Sequence, residues 1–218
     1  MFNMFRNLAD CLHVVAFVIM LIKLYRTKSC AGISGKTQIL FAIVFTMRYA
    51  DLLSPNHYHS YYVSSMKIIF IVFSYAIVYM IYGPYKKTYD HENDLIYNEF
   101  LVVPCFVLAL FLAADRNNPL EIMWTFSIFL EAIAIIPQLE LLCKINFIDN
   151  YTVCYLLSLG LYRAMYIINW IYRYSYEEHL DSIAIFSGFV QTTLFALVFV
   201  RLFSLKRRES RTMINVVI

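Results

Sequence analysis

Arg48 and Asp51 lie three residues apart inside an otherwise apolar run from Ile39 to Leu53, and Arg6 and Arg173 stand at the edges of other long hydrophobic stretches. An ionisable side chain at membrane depth is costly unless it is paired or faces water, so charges in such places point to a functional site. A guanidinium grips a carboxylate through a rigid two-pronged fork and stays charged at any cellular pH. Three of them held at one depth would suit a ligand that presents several carboxylates in fixed geometry. Asp51, Glu121 and the indole of Trp124 would suit a cationic or aromatic group on that same ligand, through ion pairing and cation–π contact. The bland alternative is that these charges pair with one another and hold helices together.

The elements that carry these residues follow from composition. The chain has 218 residues, of which 61% are hydrophobic, 17% aromatic and only 15% charged, with a mean hydropathy of +0.63. A soluble domain carries about 25% charged residues, so the chain reads as an integral membrane protein. Hydropathy predicts seven spans, at about 4–22, 38–53, 62–82, 99–114, 119–141, 151–172 and 181–204, all in one transmembrane domain with a basic tail over 205–218. The amino end has no basic leader before its apolar run, which predicts that the first span is retained. Cys11, Cys30, Cys105, Cys143 and Cys154 show no CxxC spacing and read as free thiols.

An odd number of spans puts the termini on opposite sides. Lys23, Arg26, Lys28, Lys36, Lys86, Lys87, Lys144, Lys206, Arg207, Arg208 and Arg211 fall to one side, against Arg6, Arg116 and Arg173 on the other. This bias predicts a cytosolic tail and a lumenal amino end. The sequon Asn150-Tyr151-Thr152 then lies in a cytosolic loop and stays unglycosylated.

With that orientation Arg6, Arg48, Asp51, Glu121, Arg173 and Asp181 fall near one lumenal level. On the first span Arg6, Asp10 and His13 share a helical face, with His13 about 10 Å deeper than Arg6. Tyr162, Tyr166, Asn169 and Arg173 form a second polar stripe, and Glu131 lies about 15 Å deeper than Glu121. Such stripes are expected to face a shared cavity rather than lipid.

Cys30-Ala-Gly-Ile-Ser-Gly-Lys36, Phe45-Thr-Met-Arg48-Tyr49-Ala-Asp51-Leu52, Phe100-Leu-Val-Val-Pro104, Pro119-Leu-Glu121-Ile-Met-Trp124-Thr-Phe-Ser127, and Leu161-Tyr162-Arg163-Ala-Met-Tyr166 with Asn169-Trp170 stand in order across nearly the whole chain. These motifs resemble the ER lumen protein-retaining receptor family, which reads K/H-D-E-L carboxyl termini. The resemblance implies a receptor that captures escaped ER proteins in the mildly acidic Golgi, returns with them in COPI vesicles and releases them at neutral pH. It implies no catalysed reaction and no cofactor. It places the protein as a multi-pass membrane protein of the endoplasmic reticulum, Golgi and COPI vesicles, with membrane lipid and coat as partners and no nucleic acid.

By the same resemblance, Arg48 with Tyr49 holds the ligand's terminal carboxylate, Arg6 its glutamate and Arg173 its aspartate. Asp51, Glu121 and Trp124 receive the first-position lysine or histidine, and Tyr162, Tyr166 and Asn169 complete the pocket. His13 resembles the proton sensor, with Glu131 and Tyr162 as a hydrogen-bonded pair that tightens on binding. An imidazole, titrating near 6.5 when unperturbed, gains charge across this interval, so acidification raises affinity if only the bound form favours the protonated ring. A buried histidine is also, commonly, a neutral packing residue.

The implied fold is SWEET or PQ-loop-like: two three-helix bundles, about 4–82 and 119–204, joined by a linker helix at about 99–114. Ser34-Gly-Lys-Thr-Gln38 and Ile136-Pro137-Gln138 stand at corresponding positions of the two halves, and Pro137 would end or kink its helix on steric grounds alone. The tail Lys206-Arg207-Arg208-Glu209-Ser210 reads either as a positive-inside anchor or as the family's coat-recruiting segment, and Ser210 fits a basophilic kinase site. Two departures bear on trafficking: the cluster has a single lysine, and Leu197 stands where an aspartate is expected. A SWEET-type solute transporter is the main rival reading, although its cavity would be uncharged and open alternately to both sides. A membrane enzyme has little support, since His57-x-His59 is a weak metal-ligand pattern and neither a nucleophile elbow nor a phosphate-cradling loop is present.

Overall fold

The computed structural model describes residues 4–53, 61–177 and 182–217, and these are almost entirely helical. Eight α-helices follow in order: α1 (Met4–Thr27), α2 (Gly35–Arg48), α3 (Tyr61–Tyr82), α4 (Glu99–Leu112), α5 (Pro119–Ile133), α6 (Ile136–Lys144), α7 (Asn150–Glu177) and α8 (Ser182–Val217). Among the described residues, five helical segments are long and apolar enough to cross a membrane: α1, α3, the α5–α6 run Pro119–Lys144, Asn150–Ser175 of α7 and Ser182–Arg211 of α8. The remaining two predicted spans are shorter helices of 14 residues each, α2 and α4.

Local chemistry sets the boundaries. Ser34 caps α2 by accepting the Thr37 N–H at 3.1 Å, which satisfies one of the free donors at a helix start. The α1–α2 connection is a tight turn in which Gly32 takes φ +76°, a conformation that a side chain would strain. Tyr49 ends α2, and the chain tightens into a 3-10 turn over Ala50–Leu53 that carries Asp51. Pro137 falls in the first turn of α6 and so marks where α5 breaks, as its missing N–H and fixed φ require.

The core is aromatic and aliphatic, built from Phe17, Met20, Leu24, Phe41, Phe45, Ile77, Ile81, Leu130, Tyr155 and Tyr162, all essentially inaccessible. Exposed apolar side chains, including Phe100, Val103, Phe106 and Phe111 on α4 and Phe186, Phe189, Val200 and Phe203 on α8, cover the outside of the bundle. In the first half α3 packs on both α1 and α2, and in the second α8 packs on α5, α6 and α7. Across the halves α1 lies along α7 and α2 along α5, while α4 leans on α5.

One end of this bundle is sewn by polar groups. Lys23, read from sequence as a loop cation, is buried near the end of α1, where its ammonium meets Asp149 at 2.7 Å and donates to Thr152 Oγ1 and the Ala31 carbonyl. Ser34 and Tyr89 both donate to the buried Asp94 carboxylate, at 2.9 and 2.6 Å. Gln138 accepts from the Ser34 N–H and donates to the Gly32 carbonyl, tying α6 to the start of α2.

Candidate ligand-binding site

At the opposite end α1, α2, α5 and α7 bring their polar stripes together. The helical spacing of Arg6, Asp10 and His13 sets them along one side of α1, facing α7. Asp10 accepts the Tyr166 hydroxyl at 2.7 Å, and Arg6 lies within electrostatic reach of Asp10, Tyr49 and Tyr166. The Asp10–Tyr166 hydrogen bond thereby adds a polar tie to the packing of α1 on α7.

Deeper in the bundle, Arg48 reaches across from α2 to α5. Its guanidinium meets Glu131 at 2.6 Å and donates to the Ser127 hydroxyl and carbonyl, each at 3.2 Å. Ser127 is held in turn by its own hydrogen bond to the Trp124 carbonyl at 2.6 Å. The second oxygen of Glu131 accepts the Tyr162 hydroxyl at 2.8 Å, and Gln191 of α8 donates to that hydroxyl at 3.1 Å. Glu131 therefore joins α2, α5, α7 and, through Tyr162, α8. Breaking one partner of such a buried pair leaves an uncompensated charge and is strongly destabilising.

His13 lies beside this junction. Its ring stacks on Tyr162 with centroids 4.1 Å apart, stacks on Phe17 at 5.0 Å, and has Phe45 and Phe70 at its edges at 5.4 and 5.1 Å. Its Nε2 is buried and has no hydrogen-bond partner among the described residues. Arg48, Arg163 and Glu131 all act on it electrostatically.

The remaining expected residues are less tightly gathered. Tyr49 is half-buried and stacks on Phe45. Asp51 is held by Lys67 of α3 at 2.5 Å. Glu121 and Trp124 are half-buried on the first turns of α5, Arg173 is half-buried and Asn169 buried on α7, and Arg6 is exposed. Asp181, His57 and His59 lie outside the described residues. In the tail, Lys206 pairs with Glu209 at 2.9 Å and stands over the Phe147 ring, Ser210 donates to the Lys206 carbonyl, and Arg207, Arg208 and Ser210 are exposed. Leu197 points outward, half exposed.

Four participants went unassigned in the sequence reading: Lys67, Ser127, Arg163 and Gln191. Arg163 is buried 4.8 Å from the Trp170 ring centroid, close to Gly188, where a side chain would collide with both. A lone lysine or glutamine within a span was the available signal for Lys67 and Gln191. Ser127 gave none, because serine is common in apolar helices.

Residues 29–173 match the family model for the ER lumen protein retaining receptor. Over 193 residues, 88% of this chain, it is 51% identical to ER lumen protein-retaining receptor 2 of Bos taurus, covering 90% of that protein. It is 50% identical to ER lumen protein-retaining receptor 3 of Xenopus tropicalis over 89% of that protein, and 49% identical to the ER lumen protein-retaining receptor of Drosophila melanogaster over 90% of it. Similarity at this level across nearly the full length, together with a bundle whose charged end is shared by four helices, means that the chain belongs to the ER lumen protein retaining receptor family.

Proposed function

We propose that the protein is a pH-dependent receptor for the carboxyl-terminal K/H-D-E-L signal of ER lumenal proteins, capturing them in the Golgi and returning them to the ER by COPI retrograde transport. The observation that carries this reading is the Arg48–Glu131–Tyr162 junction with His13 stacked on it. The Arg48 fork suits a carboxylate and stays charged at any cellular pH, so the ligand's terminal carboxylate would bind it in exchange for part of its contacts with Glu131 and Ser127. Arg6 and Arg173 supply the other two cations for the two acidic side chains of the signal, and Asp51, Glu121 and Trp124 the surroundings of its first residue. Tyr49, Tyr166 and Asn169 complete the pocket.

The same reading puts the amino end and this site in the lumen and the Lys206–Arg208 cluster with Ser210 in the cytosol. The positive-inside bias supports that orientation. The packing of α3 on α1 and α2, repeated by α8 on α5, α6 and α7, supports a SWEET-like pair of bundles joined by α4. A solute-transport reading is disfavoured by the concentration of charge in the candidate pocket.

Direct binding of a labelled peptide ending in K-D-E-L or H-D-E-L tests the proposal, at pH about 5.5 and about 7.4. The expected result is binding at least about tenfold tighter at the acidic pH. Equal binding at both values, or no binding at either, contradicts it.

A further inference from the structure

Lys67 belongs to no motif used above, yet it occupies the carboxylate proposed to receive the ligand's first residue. Its ammonium is 2.5 Å from Asp51 Oδ2, with side-chain exposures of 12% and 23%, and it stands 5.8 Å from the centroid of the Tyr49 ring. A carboxylate beside an aromatic face is the chemistry that recognises a ligand ammonium, and here an ammonium of the protein's own α3 already pairs with its Oδ2. The pair is largely sheltered, so its attraction is less screened than that of a surface ion pair.

We propose that Lys67 is an internal competitor for the cationic first residue of the retrieval signal, and that this competition sets how strongly the receptor discriminates at that position. The inference rests on the receptor reading above and adds to it a specificity-determining residue. A ligand cation arriving at Asp51 exchanges one ion pair for another rather than creating a new one. The net gain from a lysine over a neutral first residue is therefore small. Lysine's flexible four-carbon stem lets the displaced ammonium swing aside while the backbone of α3 stays in place. The consequence is a receptor tolerant at the first position, with its selectivity carried by the acidic residues and terminal carboxylate that the arginines read.

The test measures binding of peptides ending in K-D-E-L and A-D-E-L to wild type, Lys67→Met, Asp51→Asn and the double variant in lipid nanodiscs. The readout is the ratio of the two affinities. Lys67→Met exposes Asp51 to the ligand and should raise the preference for lysine about tenfold. Asp51→Asn removes the shared carboxylate and keeps the Lys67 charge near the ligand ammonium, so it should shift the preference towards A-D-E-L. The double variant removes the Lys67 charge as well, so its preference for lysine should exceed that of Asp51→Asn, with Glu121 and Trp124 still facing the first residue. An unchanged ratio in Lys67→Met overturns the proposal. If Lys67→Met does not fold, the comparison of Asp51→Asn with the double variant decides, since equal ratios in those two overturn it as well. Failure of either peptide to bind wild type is a different result: it overturns the receptor reading and this inference with it.

Discussion

His13 is held by four aromatic rings and keeps a ring nitrogen without a partner among the described residues. A proton added there joins a cluster that already contains the cations Arg48 and Arg163 and the carboxylate of Glu131. On the proposed receptor function, an incoming ligand carboxylate would add negative charge there, so proton uptake and ligand binding would favour one another, each strengthening the other by the same factor. Replacing His13 by Phe keeps a ring in the stack and removes the titrating group. His13→Phe should bind signal peptide with an affinity that changes less than about twofold between pH about 5.5 and about 7.4, against about tenfold in wild type. Titrating both proteins with the same peptide checks this, and a pH dependence retained in full would assign the sensor elsewhere. Placing His13 on the Arg6 and Asp10 face needed only helical periodicity. That Tyr162 would be its stacking partner did not follow from periodicity, because the contact depends on how α7 is rotated against α1.

The position of α8 depends on Arg201, whose role no local sequence pattern announced. Its guanidinium donates to the carbonyls of Leu142 at 2.8 Å, Cys143 at 3.1 Å and Ile145 at 3.5 Å, where α6 ends. The last carbonyls of a helix lack internal donors, and the dipole there favours a cation, so one arginine answers both needs. Further along α8, Gln191 ties the helix to Tyr162. Arg201→Met keeps much of the apolar stem and removes the donors. It should cost about 2 kcal/mol and lower the thermal midpoint by several degrees. A thermal unfolding curve unchanged from wild type would show that the cap contributes nothing. Hydropathy placed the last span at 181–204, but the helix runs on to Val217, because the charged residues after Leu205 are themselves good helix formers. At α2 helix and apolar run differ in the opposite sense: the run continues to Leu53, but the α-helix stops at Arg48 and Asp51 sits in the tighter turn. The break before Pro137 was readable because proline acts through local sterics alone.

Taken together, the two ends of the bundle differ in kind. At one, Lys23, Asp149 and Thr152 close on one another. Burial alone would push the Asp149 carboxyl up, but the hydrogen bond and charge of Lys23, with the Thr152 hydroxyl and N–H, hold it below the ordinary carboxylate range. At the other stand arginines from α1, α2 and α7 with acids beside them, the end proposed to receive the ligand. The sequence predicts such an asymmetry through its arginines and its loop charges. It misassigned Lys23 and passed over Lys67 and Arg163, because a cation whose carboxylate or aromatic partner lies far along the chain reads as an anchor or as nothing. The proposal that Arg48 binds a terminal carboxylate makes amidation of the peptide and loss of Arg48 overlapping changes rather than independent ones. The decisive measurement is the affinity of free-acid and amidated K-D-E-L peptides for wild type and for Arg48→Gln/Glu131→Gln, which removes both halves of the buried pair. Amidation should weaken binding about 100-fold in wild type and hardly at all in the double variant; an equal loss in both would mean that Arg48 does not read the carboxyl terminus.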